Sequence, residues 1–166
     1  MSRAAVIAVV AVAFASAWVR TADGTRARVR TVPCSQSIDH PRFPYRSDGY
    51  RLVLNTFSVP PGHLRQVVHV GGSWPYWRKT GLVVRANAPA VTVTVPRASQ
   101  SRAAIIWGNA GKPASSLRFA SCAGRASKGR AYAGGFYLRA RSGCVPLVFR
   151  VGARAATVRF GVGRRC

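Results

Sequence analysis

Three aromatic residues and two cations fall within six positions of this 166-residue chain: Trp74, Tyr76, Trp77, Arg78 and Lys79, introduced by the glycine pair Gly71 and Gly72. Aromatic faces of this kind stack on sugar rings or bases, and adjacent cations hold phosphate or uronate groups. The segment is the leading candidate for a ligand-binding site, on a loop. A plainer reading competes with it, because large aromatics near strand ends usually cap a core.

Other chemistries have little to work with. The chain holds three acids, Asp23, Asp39 and Asp48, and no glutamate. Hydrolysis by paired carboxylates needs two acids at a fixed separation, one with a raised pKa, and all three lie before the first convincing strand. His40, His63 and His69 supply bases for a Ser, His, Asp arrangement, but no Gly-x-Ser-x-Gly elbow is present. Asp39 and His40 precede Pro41 and read more simply as a turn. His63 and His69 are not an i, i+4 helical pair, and no cysteine is spare for metal. A non-enzymatic protein without cofactor or metal is expected.

Four cysteines, Cys34, Cys122, Cys144 and Cys166, form an even set with no Cys-x-x-Cys, so disulfides are expected rather than zinc or a reactive thiol. Spacing does not choose among the three pairings. Cys166 closes the chain, and tying a fraying end to a distant point favours Cys34 with Cys166 and Cys122 with Cys144. Cys144 with Cys166 stays open.

Compartment and charge narrow the partners. Met1, Ser2 and Arg3 precede an apolar run from Ala4 to Ala15 that ends in Ala15, Ser16 and Ala17, the layout of a cleavable secretory signal. The run falls short of the roughly 20 apolar residues that a membrane helix needs, and no second one follows. Export and a location outside the cell or in its envelope are therefore expected, with no membrane span after cleavage; retention of the apolar run as an uncleaved anchor is the alternative. Lys and Arg number 26 and the net charge is +23; loss of Arg3 with the signal leaves +22. Such a field attracts polyanions, and more weakly as salt rises. Nucleic acid would satisfy it, yet an export signal argues against an intracellular partner. A solvated basic surface without a ligand is the competing explanation.

The elements that must position these residues are strands. Residues 18–33 carry Arg20, Arg26, Arg28 and Arg30 among small polar residues and read as a flexible or loosely attached leader. Residues 34–49 are turn-rich, broken by Pro41, Pro44 and Gly49. From Tyr50 onward, short β-rich segments alternate with Gly, Pro, Asn and Ser: 50–59, 64–70, 80–86, 90–95, 103–107, 116–121, 135–140, 145–151 and 154–162. Val91, Val93 and Val95 alternate with Thr92 and Thr94 between Pro89 and Pro96. Gly152 and Ala153 form a two-residue hairpin loop. Its register sets Val145, Leu147, Phe149 and Val151 beside Phe160, Val158 and Ala156, with Arg150, Thr157 and Arg159 on the wet face and Cys144 opposite Gly161. The expectation is an all-β fold: an antiparallel two-sheet β-sandwich over residues 50–166, immunoglobulin-like or jelly-roll-like and disulfide-stapled, preceded by a signal peptide helix over residues 1–17 and a basic entry over 18–49.

The second half also carries Ile105 to Ala110 (IIWGNA), Leu117 to Cys122 (LRFASC), Ala133 to Leu138 (AGGFYL), Cys144 to Gly152 (CVPLVFRVG) and Val158 to Cys166 (VRFGVGRRC). In these segments it resembles small, arginine-rich, secreted four-cysteine proteins of actinobacteria that have no assigned function. The resemblance covers roughly residues 50 to 166 and implies a shared exported β domain. It implies no catalytic or binding residue. Two functions are expected from these observations. The first is association with anionic cell-wall polymers or glycans through arginine-rich faces, aided by Trp74 to Lys79; the second is a structural or interaction module for another exported protein.

Overall fold

The computed structural model describes residues 29–108 and 111–166, so the expected signal peptide and the first part of the leader lie outside the described residues. Among the described residues twelve strands run in chain order: β1 (Val29–Val32), β2 (Arg51–Val53), β3 (Phe57–Val59), β4 (His63–Leu64), β5 (Val68–His69), β6 (Tyr76–Arg85), β7 (Val91–Thr94), β8 (Ala103–Trp107), β9 (Ser116–Phe119), β10 (Gly129–Leu138), β11 (Gly143–Val151) and β12 (Arg154–Val162). Among the described residues there is no α-helix, only three short 3-10 turns.

The strands form two sheets. Sheet I has the order β1-β9-β7-β11-β12-β4, and sheet II the order β2-β3-β6-β10-β8, with β5 paired to β6. The expected alternation is what packs them together. Val91, Val93, Leu117, Val145, Leu147 and Phe149 point inward from sheet I and meet Phe57, Leu82, Ile105, Trp107, Tyr132 and Phe136 from sheet II in one buried cluster. Ring contacts span the gap: Phe57 lies 5.0 Å from Phe149, Phe136 5.2 Å from Phe160, and Tyr132 4.9 Å from Phe119. Edge-to-face contacts like the first and third add to the area they bury. The hairpin of β11 and β12 has the expected register, with Val145 opposite Phe160, Leu147 opposite Val158 and Cys144 opposite Gly161.

Three expectations give way. First, the leader is not loose throughout: Val29–Val32 form the edge strand of sheet I, paired in parallel with β9, and Val32 is fully buried. A second parallel pair, β12 with β4, occupies the opposite edge, so sheet I is antiparallel only between its edges. Second, the turn-rich entry also belongs to the fold. Ile38 donates its N–H to Ala131, and Ala131 to Asp39, continuing the β10 edge where β8 stops. Third, the disulfides are Cys34–Cys122 and Cys144–Cys166. Both follow from pairing. Parallel β1 and β9 end side by side, which brings Cys34 and Cys122 to a Cα separation of 5.6 Å. Beyond Val162 the chain reverses at Gly163 (φ 72°) and passes over Gly161, where a Cβ would fall 2.9 Å from the Cys166 nitrogen, so the tail returns to Cys144. The terminal cysteine ties its end locally, not to a distant point.

These bonds close loops of different length, 88 and 22 residues. In the loop-entropy model they stabilise by between 4 and 5 kcal/mol and by roughly 3 kcal/mol respectively. Removing Cys34 and Cys122 together should therefore lower the free energy of unfolding by about 1 kcal/mol more than removing Cys144 and Cys166. Urea denaturation of the two double-serine variants measures this; the reverse order would show that native-state packing, not chain entropy, governs both.

Candidate functional site

The five residues singled out around Trp77 do not form one loop site. Tyr76, Trp77, Arg78 and Lys79 begin the ten-residue strand β6, and strand alternation divides them. Tyr76 packs against the core and, edge-on, against His69. Arg78 is in phase with the buried Leu82 and Val84, and its Nε is buried without a hydrogen-bond partner. Trp77 and Lys79 face the outer side of sheet II. Trp74 stays in the loop before β6, half-buried, with the Arg139 guanidinium 4.6 Å from its ring centre. Core capping, the competing expectation for Trp74 or Trp77, falls to Tyr76 instead, while Trp77 is half-buried on the outer face against Tyr137.

On that outer side Trp77 stands opposite Tyr137 of β10, with ring centres 4.4 Å apart and planes tilted by 36°. The pair forms one wall of a cleft of about 330 Å³, completed by Lys79, Ile106, Gly108, Ala133 and Gly134. A second cleft of about 330 Å³ follows along the same two strands and shares Lys79 and Ala133 with the first. Its far wall comes from the entry segment, chiefly Ile38, Pro41, Tyr45 and Tyr50. Together they make a trough over the outer face of β6 and β10, with aromatic pairs at both ends. From Trp77 to Val83 it runs ~20 Å at about 3.3 Å per residue.

Small residues make the floor. Gly81, Ala131 and Ala133 lie between the two aromatic ends. At Gly81 a Cβ would come within 2.9 Å of the Tyr50 hydroxyl, which donates to the Gly81 carbonyl at 3.1 Å. A side chain there would lift Tyr50 off the sheet. Tyr45 is fixed twice: its N–H donates to the buried Ser58 hydroxyl at 3.0 Å, and its own hydroxyl donates to Asp48 Oδ2 at 3.2 Å. The Tyr45 and Tyr50 rings meet edge to face at 5.0 Å. Sequence reading missed Tyr45, Tyr50 and Tyr137. Only the pairing of β6 with β10 and of the entry segment with Ala131 reveals that they share a surface with Trp77.

The remaining candidates are dispersed. His40 Nε2 is held closely by an Arg130 guanidinium nitrogen and lies 3.4 Å from Ser37 Oγ. The Asp39 carboxylate accepts the His40 backbone N–H at 2.6 Å, so it does not orient the imidazole. With a cation on Nε2, this histidine is not arranged as a base for Ser37. His63 and His69 sit on β4 and β5, and no group of three metal-binding side chains occurs among the described residues.

A comparison with protein-family models, curated proteins and solved structures yields no match to this chain. Two disulfides belong to an oxidising, non-cytoplasmic location. No helix among the described residues is long and apolar enough to cross a membrane.

Two tyrosines report on the packing. Burial raises the Tyr50 pKa, an effect that a hydrogen bond with the Thr80 side chain partly offsets. Burial likewise raises Tyr132, against a smaller lowering by the Arg130 charge. Each thus holds its proton more tightly when folded than when unfolded. Their contribution to stability is whole below the ordinary tyrosine value of about 10 and is lost as pH rises through the folded values. Alkaline titration followed at the tyrosinate absorbance should show two groups ionising above the rest, with unfolding midpoints falling over the same range. Tyr50→Phe should remove one late group; loss of neither late group in that variant would show that Tyr50 is not covered as described.

Proposed function

We propose that this is an exported, non-catalytic β-sandwich, of an immunoglobulin-like or jelly-roll-like kind, that associates with anionic glycan polymers of the cell envelope. The observation that carries the reading is the trough, an extended, open channel floored by Gly and Ala, walled by Trp77 and Tyr137 at one end and by Tyr45 and Tyr50 at the other. Sugar rings present flat C–H faces to aromatic side chains and hydroxyls to flanking polar groups, and both kinds of partner are here. Lys79 in the middle supplies a cation for an acidic substituent.

The charge supports the same ligand class. On the outer face of sheet I, Thr92 of β7 is flanked across the sheet by Arg118 of β9 and Arg150 of β11. Both arginines are exposed. Such a field draws a polyanion toward the molecule, while the trough supplies shape and stacking.

The second reading, a module for an exported protein partner, is favoured by one observation. Val68 of β5 and Val70 just after it are 54% and 52% exposed, and among the described residues β5 pairs only with β6. A free strand edge with exposed valines suits pairing with another chain.

Co-sedimentation with purified cell wall separates the two. The wild-type protein should pellet with wall, on the order of tenfold less at high salt than at low. Trp77→Ala with Tyr137→Ala should weaken the remaining high-salt binding by about tenfold, which corresponds to about 1.4 kcal/mol of lost stacking. Circular dichroism checks that this variant is folded. Unchanged wall binding by a folded double variant would overturn the glycan trough, and equal binding at low and high salt would overturn the role of charge.

A further inference from the structure

We propose that a second site, at the end of the sandwich beside the Cys144–Cys166 bond, binds a phosphoryl group, and that this disulfide holds one of its three arginines in place. The cleft there measures about 340 Å³ and is lined by Arg102, Arg139 and Arg164 together with the hydroxyl residues Ser99 and Ser142. Among the described residues no aspartate or glutamate lines it.

All three arginines are exposed and carry the same charge. Arg139 continues β10 beyond Leu138 and donates its N–H to the Arg102 carbonyl, so Arg102 and Arg139 extend the antiparallel pair of Ala103 with Leu138. Like charges directly opposite on neighbouring strands repel. Packing nonetheless fixes both. Arg102 donates through Nη2 to the Ala98 carbonyl at 3.3 Å, and Arg139 lies over the Trp74 ring. The third cation comes from the other sheet. After Val162 the tail turns back at Gly163, beside Arg141 and Ser142, and Cys166 bonds to Cys144, a lining residue of the same cleft. Arg164 lies between the turn and the bond, and so is held at the rim.

Three arginines and two serines around one cleft supply more donors than a carboxylate can accept, since one arginine already engages both of its oxygens. A tetrahedral phosphoryl group offers more acceptors and, as a monoester, more charge. The volume leaves room for a polyol or sugar attached to it. This site does not depend on the trough, although Arg139 lies only two residues beyond Tyr137 on β10.

Isothermal titration of the disulfide-intact chain with inorganic phosphate and with a short poly(glycerol phosphate) oligomer tests the proposal. Saturable one-site binding is expected, weakened about tenfold or more by Arg102→Gln with Arg164→Gln. Removing the same charge from sheet I, with Arg118→Gln and Arg150→Gln, should change it less than about twofold. Binding of phosphate alone assigns the site to the free anion, and binding of the oligomer alone assigns it to a phosphodiester; either supports a phosphoryl site. Cys144→Ser with Cys166→Ser should weaken binding as the Arg164→Gln single variant does, and where that variant does not fold, the arginine variants decide. Non-saturable binding, or equal weakening by both arginine pairs, would show general electrostatic attraction and overturn the proposal. Trp77→Ala with Tyr137→Ala should leave phosphate binding intact, so failure of the trough and failure of this site read differently.

Discussion

The surface chemistry of this molecule depends on the register between β6 and β10. Ten consecutive residues pair without interruption, from Gly129 opposite Arg85 to Leu138 opposite Tyr76. That register decides which residues are inside. A slip of β10 by one position would turn Tyr137 inward and push Phe136 into water while β6 kept its faces. Two glycines make the pairing possible. At Gly134 a Cβ would lie 1.9 Å from the Ile106 carbonyl oxygen, and at Gly135, where φ is 150°, 1.9 Å from that of Arg78. Central strand β10 is squeezed between β6 and β8 at this point, and only residues without a side chain fit. Gly134 also lines the cleft beside Trp77 and Ile106.

The inner consequences of this register concern stability, and the outer ones concern function. Inside, Tyr132 and Phe136 of β10 meet Phe119 and Phe160 of sheet I. Outside, Ala131 and Ala133 of the same strand leave space that the entry segment partly fills. Ile38 and Asp39 hydrogen-bond to Ala131 along the edge that β8 leaves free. The Cys34–Cys122 bond anchors the start of that segment to the end of β9. One disulfide thus secures the Tyr45 and Tyr50 wall indirectly, and the other secures Arg164 at the opposite end of the sandwich.

Much of the fold is legible in the sequence where one strand announces its own face. The alternation from Val91 to Val95 and the Gly152–Ala153 loop need no distant partner, and β8 and β12 occupy the expected residues. Information held in pairing is not legible. Strand β1 is four residues whose partner lies 87 positions away, among arginines that look solvated. The single segment expected over 50–59 is two strands, because Leu54 and Asn55 both take positive φ at a tight turn, a conformation that leucine seldom adopts and so does not advertise. The disulfide pattern was hidden for the same reason: it follows from a parallel edge pair and a reversing tail. At the site, the composition of Trp74 to Lys79 drew attention to the right strand. Its alternation then sent half of those residues inward, and the other half of the trough came from residues with no common motif.

Charge is distributed to match this geometry rather than spread evenly. The two acids among the described residues, Asp39 and Asp48, both stand at the Tyr45 and Tyr50 end of the trough. Cations stand beside those acids as well, with Arg130 at His40 and Arg42 and Arg46 in the entry segment, whereas cations without acids occupy the other regions: Lys79 at the middle, Arg139 beyond the Trp77 and Tyr137 end, and arginines across the outer face of sheet I. On the proposed reading the trough is therefore polar along its length. A chain of sugars with an acidic or phosphorylated end would lie with that end toward Arg139 and its hydroxyls toward the carboxylates, because the opposite direction would set the acidic group against the carboxylates. A uniformly cationic surface would attract the same polymer but would not orient it. The scarcity of acids, which argues against carboxylate catalysis, is thus also what gives the two remaining carboxylates directional meaning.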